Sequence, residues 1–362
     1  MRTVIERVDA WCRRGDFTVE DLARYRIVYG VLSLLWLRGY SGIAYQPEAQ
    51  FDPPPGPIML FNSIPPVGAL EALEIVSAVA VVFLIMGFKT RAASLLLAAA
   101  MFTGSGLSFS FGKIDHGIFL ILVPAAMAFS GWGGAMSVDS HLAARRGRPR
   151  IEASQWAMRL LAFMMALAFL TAGTAKVRGG WLDLHTHASR LYFLKRYVSS
   201  AGRDDFLASF FLRIHDWGIA WEALDWATVA LECGLIVAML WWRTWRIGVA
   251  VAALFHLGVF LMMNIQFSNN IVAYGAFIRW NLIAPTKTGT GIPLREPVAW
   301  VLGLGLGYGA YSMHNSELAR FIPSIGGTEL LYLGGVVATI FLAGQVWLGF
   351  RALRLLRAST PA

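Results

Sequence analysis

Residues 67–87, VGALEALEIVSAVAVVFLIMG, carry no charge beyond Glu71 and Glu74 and settle the fold class. An α-helix rises 1.5 Å per residue, so a run of this length covers the ~30 Å hydrocarbon core of a bilayer. Lys89 and Arg91 interrupt it, and a second run, AASLLLAAAMFTGSGLSFSF, follows at 92–111. Eight comparable stretches lie at 25–40, 117–136, 156–174, 217–241, 247–263, 271–285, 297–313 and 330–350. Composition agrees. Hydrophobic residues make up 57% of the chain and charged residues 15%, where a soluble domain carries about 25% charged. The mean hydropathy is +0.56. No apolar–polar alternation recurs at the spacing of barrel strands. The expected fold is all-α: a polytopic bundle of about ten transmembrane helices.

Positive charge orients the bundle. With the N-terminus inside, Arg2, Arg7, Arg13, Arg14 and Arg24, then Lys89 and Arg91, then Arg145, Arg146, Arg148 and Arg150 fall on the cytoplasmic side. So do Arg243, Arg246, Arg279, Lys287, Arg295, Arg351, Arg354 and Arg357, nineteen in all against nine on the opposite side. Cytoplasmic loops retain Lys and Arg, so the expected topology is N-in and C-in, in the cell (inner or cytoplasmic) membrane, with many passes. The net charge of +9 follows from the same loops, and no nucleic-acid partner is implied. Three stretches are expected: a cytoplasmic segment 1–24, a transmembrane domain 25–285, and two further helices with a short basic tail at 286–362. Within the domain, 41–66 reads as an irregular, Pro-rich outer loop. Residues 177–216 mix aromatics with Arg, Lys and His, as an interfacial helix or helix pair does. The N-terminus lacks a signal-peptide pattern. Cys12 and Cys233 form no motif.

This topology brings several polar side chains to one depth, toward the outer half. GKIDHG places Lys113, Asp115 and His116 at the start of the fourth helix, and TAGTAK places Lys176 at the end of the fifth. FHLGVFLMMNIQFSNN places His256 within the seventh helix, with Asn264, Gln266, Asn269 and Asn270 at its end. Glu222, Asp225 and Glu232 share one stripe of the sixth helix by their spacing. Ionisable groups in a bilayer are costly and face a cavity or a partner. Plainer roles exist for each: lysines at helix ends snorkel to the headgroups, His256 suits an interhelical hydrogen bond, and the acids suit ion pairs within the bundle. Asp183, His185 and His187 form D-x-H-x-H, which specifies too few ligands for a metal.

The same residues carry a family resemblance. FLTAGTAKVRGGW around Lys176, GKIDHGIFLILVPAAMAFSGWGGAMSVD with His116, and LFHLGVFLMMNIQFSNNIVAYGAFI with His256 resemble, in order, the membrane part of vitamin K-dependent γ-glutamyl carboxylase. They identify the chain as a member of the horizontally transferred transmembrane domain (HTTM) family. Asp115 stands where the resemblance expects asparagine, and Lys176 is single where the carboxylase has two lysines. The resemblance implies an enzyme of carboxylase-like or quinone-dependent oxygenation chemistry, a lyase or oxidoreductase. Its cofactor would be a reduced naphthoquinone, a vitamin K-type hydroquinone. Lys176 would be the base, neutral in a dry pocket, and His116 its partner. Asp115, Lys113, His256, Asn264, Gln266, Glu232 and Asp225 would bind the substrate or cofactor. Membrane lipids and a peptide or protein substrate are the expected partners. Two other classes stay open at this point: a non-enzymatic maturation or export factor for a secreted peptide, and a small-solute or lipid transporter.

Overall fold

The computed structural model describes residues 3–35, 39–112, 114, 117–198, 206–263, 265, 267–283 and 306. Among them, all regular structure is helical. The helices are α1 (Val4–Arg13), α2 (Val19–Leu35), α3 (Val67–Met86), α4 (Thr90–Phe109), α5 (Ile118–Met127), α6 (Val138–Arg145) and α7 (Gln155–Arg178). After these come α8 (Ala188–Val198), α9 (Phe206–Arg213), α10 (Gly218–Ala238), α11 (Trp242–Met263), α12 (Ser268–Tyr274) and α13 (Trp280–Ile283). Among the described residues three helices, α3, α4 and α7, are long and apolar enough to cross a membrane, and α5 is a shorter apolar helix. Trp156, Leu160, Phe163 and Leu167 recur every three or four residues along α7 and are all exposed. Water penalises such an apolar stripe, whereas lipid does not. The runs expected at 297–313 and 330–350 lie outside the described residues, apart from Leu306.

Several boundaries depart from the sequence reading. The run expected at 117–136 is helical only to Met127; Pro124 sits in its last turn, and a chain of turns follows it. The run at 271–285 is broken into α12, a 3₁₀ turn at Gly275–Phe277, and α13. The 41–66 loop contains three short 3₁₀ turns, and residues 177–216 include two helices, α8 and α9. Two helices were not anticipated. In α1, Thr3 Oγ1 accepts from Glu6 N at 3.3 Å while Glu6 Oε2 accepts from Thr3 N at 3.0 Å, a reciprocal cap. In α6, Ser137 Oγ accepts from Ser140 N at 2.9 Å.

The described residues divide into two compact units, one drawn from 1–161 and 275–330, the other from 162–274 and 331–362. In the first, α2 packs on α3, α3 on α4 and α4 on α5. Charged side chains at the end of α2 explain why this helix starts at Val19 rather than near 25. Asp21 is buried and accepts from Thr18 Oγ1 at 2.8 Å, Arg279 Nε at 3.1 Å and Asn281 N at 2.6 Å. Arg24 donates to Asn281 Oδ1 at 3.1 Å. These bonds fasten the start of α2 to the segment carrying α13.

Arg26, one turn further on, is fully buried and spends its guanidinium on backbone carbonyls. It donates to Trp132 O at 3.2 Å and Met136 O at 2.5 Å. Asp139, just inside α6, accepts from Lys89 N at 2.8 Å and from Thr90 N and Oγ1 at 2.7 Å each, so it caps α4 from a distance. Gly87 closes α3 at φ 66°, and any Cβ there would collide with Arg26 and Ser137. Only glycine takes that conformation without cost and leaves the guanidinium its space.

Candidate functional site

The second unit contains Lys176 of α7 and the ionisable residues of α10 and α11. Gly173 of α7 lies close against α10. A Cβ there would lie 2.7 Å from Cys233 Sγ and 3.1 Å from Glu232 Cβ. Small residues let helix backbones approach in this way. Lys176 is one turn beyond Gly173 on the same face, and the approach puts it beside Glu232. Lys176 Nζ donates to Glu232 Oε1 at 2.7 Å and to Oε2 at 2.6 Å. The Glu232 side chain is 9% exposed and that of Lys176 23%. The Trp181 ring centroid lies 5.3 Å from the same ammonium. A charge-assisted bond to both oxygens satisfies a carboxylate that water reaches poorly.

The other acids of the α10 stripe have separate tasks. Asp225 is fully buried and accepts from Ser189 N at 2.8 Å, so it caps α8 from α10. Glu222 accepts from Trp226 Nε1 at 2.7 Å and lies 3.4 Å from His187 Nδ1. The stripe read from spacing is real, but its three members serve three different partners.

His256 is buried in an aromatic stack. Its ring lies 4.2 Å from that of Phe267 at an interplanar angle of 10°, and 6.0 Å from that of Phe169 at 21°. The Tyr274 hydroxyl lies 3.1 Å from His256 Nδ1, which fixes the ring's rotation. Tyr274 also interacts with the Asn270 side chain and, electrostatically, with the Glu232 carboxylate. Lys176, Glu232, Tyr274, Asn270 and His256 therefore form one polar group inside the second unit. Asn270 Oδ1 is buried there with no hydrogen-bond partner among the described residues.

Of the residues expected from the sequence, Lys176 and Glu232 are in direct contact, and His256 joins them through Tyr274. Asp225 is committed to the start of α8. Lys113, Asp115, His116, Asn264 and Gln266 lie outside the described residues. Tyr274 was not anticipated. A tyrosine in an apolar run reads as packing, and only its place in the NNIVAY turn of α12 hints at a polar partner. In the D-x-H-x-H stretch, Asp183 Oδ1 accepts from His185 N at 3.1 Å and His187 turns toward Glu222. Among the described residues no three His, Cys, Asp or Glu side chains are grouped as a metal site.

The arrangement sets an amine against a carboxylate and a phenol against an imidazole within a helix bundle. No curated protein and no solved structure matches the chain. The family model of the HTTM domain matches residues 17–281, which include α2 to α12 and every described member of this polar group. The chain belongs to the HTTM domain family and is a membrane protein.

Proposed function

We propose that this protein is a multi-pass enzyme of the cell membrane, with about ten helices and both termini in the cytoplasm, that takes a proton from a lipid-soluble quinol. The observation that carries the reading is the bidentate contact of Lys176 Nζ with Glu232 at 2.7 and 2.6 Å. An ammonium ion is no base. Its neighbour makes it one: the proton passes from Nζ to the Glu232 carboxylate, and the freed amine accepts the next proton from the substrate hydroxyl. The net change is one proton gained by Glu232 and one ammonium left beside the new oxyanion, which it stabilises.

A reduced naphthoquinone, of the vitamin K hydroquinone type, would supply the hydroxyl proton and the reducing equivalents. The residues suit such a group on one count: Asn270 Oδ1 is a buried acceptor with no partner among the described residues, and a hydroxyl satisfies it. His256, held by Tyr274 and Phe267, would help to hold the same group. The resemblance of the lysine and histidine motifs to the membrane part of the carboxylase supports the assignment.

The test uses the full chain in proteoliposomes with a short-chain naphthohydroquinone and oxygen, following quinone products by mass spectrometry. Protein-dependent turnover is expected, abolished by Lys176→Ala and reduced at least tenfold by Glu232→Gln. Turnover at wild-type rate by Lys176→Ala, or none by the folded wild type, refutes the proposal.

A further inference from the structure

Helix α1, in the first unit, presents an apolar face that the described residues of that unit leave open. Val4, Ile5, Val8, Trp11 and Cys12 recur at helical spacing and fall on one side of it. Val4 is 76% exposed, Ile5 80% and Val8 53%. Water penalises such a face on a helix that lies free.

Two contacts fix α1 at one end of α7. Gln155, the first residue of α7, accepts from Phe17 N at 3.3 Å and donates to Phe17 O at 2.9 Å, which fastens the segment after α1. The Arg159 guanidinium carbon lies 4.6 Å from the centroid of the Trp11 ring, which fastens α1 itself. Arg159 is about 6 Å along the axis from the start of α7, a helix long and apolar enough to cross a membrane. The exposed apolar stripe of α7 opens at Trp156, in the same turn. Trp11 therefore holds α1 at the level where lipid contact begins. Interfacial helices bury their apolar face about 5–10 Å into that boundary.

Charge selects the lipid. The acids of α1 are occupied within the helix: Glu6 closes the cap with Thr3, and Asp9 accepts from Arg13 Nε at 2.9 Å through both oxygens. Arg7 lies on the flank of the apolar face beside Trp11, exposed and with no ion pair among the described residues. Arg145 and Arg148 are exposed and unpaired among the described residues in the same sense. Arg150 pairs with Glu20 near the start of α2, which brings this arginine-rich stretch to the same end of the unit. An excess of cations at a membrane boundary attracts anionic lipid. We propose that α1 docks on anionic phospholipid headgroups at the start of α7, with Val4, Ile5 and Val8 in the acyl boundary and Arg7 at the phosphates. On the topology proposed above, that leaflet is the cytoplasmic one.

The experiment uses the full chain, with Cys12 and Cys233 replaced by serine, in nanodiscs of phosphatidylcholine alone or of phosphatidylcholine and phosphatidylglycerol in equal parts. A nitrobenzoxadiazole label is placed at Ile5→Cys on the apolar face, or at Arg13→Cys on the opposite one. Both positions are exposed, so the labels spare the fold. Phosphatidylcholine spin-labelled high on its acyl chain quenches a label in the boundary, and iodide quenches one in water. In anionic discs, quenching by the lipid at position 5 and by iodide at position 13 is expected. The ratio of docked to undocked helix, read from the quenching at position 5, should fall at least fivefold in neutral discs. Arg7→Gln should lower the same ratio about fivefold in anionic discs, the worth of one arginine at such a surface, and leave it unchanged in neutral ones. Iodide quenching at position 5 in anionic discs, equal lipid quenching in the two kinds of disc, or shielding of position 5 from both quenchers overturns the proposal. The last outcome would mean that protein, such as a second copy of this chain, covers the face instead.

Discussion

Replacing Lys176 by Met removes the ammonium while keeping an unbranched chain against α10. It leaves the Glu232 carboxylate, 9% exposed, with no cation at its two oxygens. Breaking a buried ion pair by deleting one partner costs about 3–5 kcal/mol. Because the lysine head is partly exposed, the expected cost is at the low end, about 2–3 kcal/mol. Glu232→Leu is milder, since the stranded lysine swings outward on its flexible stem; about 1 kcal/mol is expected. The double variant Lys176→Met/Glu232→Leu substitutes an apolar contact and should return to within about 1 kcal/mol of wild type. The coupling between the two sites is then about 2 kcal/mol. Far-ultraviolet circular dichroism of the protein in mild detergent, titrated with denaturant, gives all four stabilities. Additive single effects, or a Lys176→Met variant as stable as wild type, would show that the pair does not form. Stability and activity should separate: the double variant refolds well yet lacks turnover, because no group remains to carry the proton.

Gly87→Ala should lower stability by about 1–3 kcal/mol, through both its φ of 66° and the collision with Arg26; a thermal melt checks this. Tyr274→Phe removes one bond to His256 and should cost about 1–2 kcal/mol, with the His256 ring signals in NMR broadening as its rotation is freed. Asp21→Ala strips four accepted bonds from the start of α2. It should cost about 3 kcal/mol, and limited proteolysis should show new cleavage near Arg279.

The sequence made the helical architecture legible because helices that cross a bilayer need long apolar runs, and 67–87 and 92–111 match α3 and α4 closely. Boundaries failed where polar side chains are satisfied within the fold. Arg24, counted with the cytoplasmic segment, is inside α2, where Asn281 receives it. The cap of α1 follows the Thr3-x-x-Glu6 spacing of a capping box. At the site, the motif around Lys176 pointed to the lysine, and the α10 spacing pointed to Glu232. That these two meet was not readable. The meeting depends on Gly173 letting α7 and α10 approach, and a glycine in an apolar run does not name the helix it touches. Tyr274 pairs with His256 across the turn between α11 and α12, a distance no helical periodicity predicts.

Arg26 sets a constraint on the order in which the chain assembles. It is in α2, and the two carbonyls that hold it follow 106 and 110 residues later. An arginine at the centre of an inserting helix costs about 2.5–3.5 kcal/mol. While α3, α4 and α5 are being made, that charge has no acceptor of its own. The native acceptors of Arg26 become available only once the turn after α5 has emerged. A chain truncated between α2 and that turn leaves the Arg26 guanidinium without the two carbonyls that hold it.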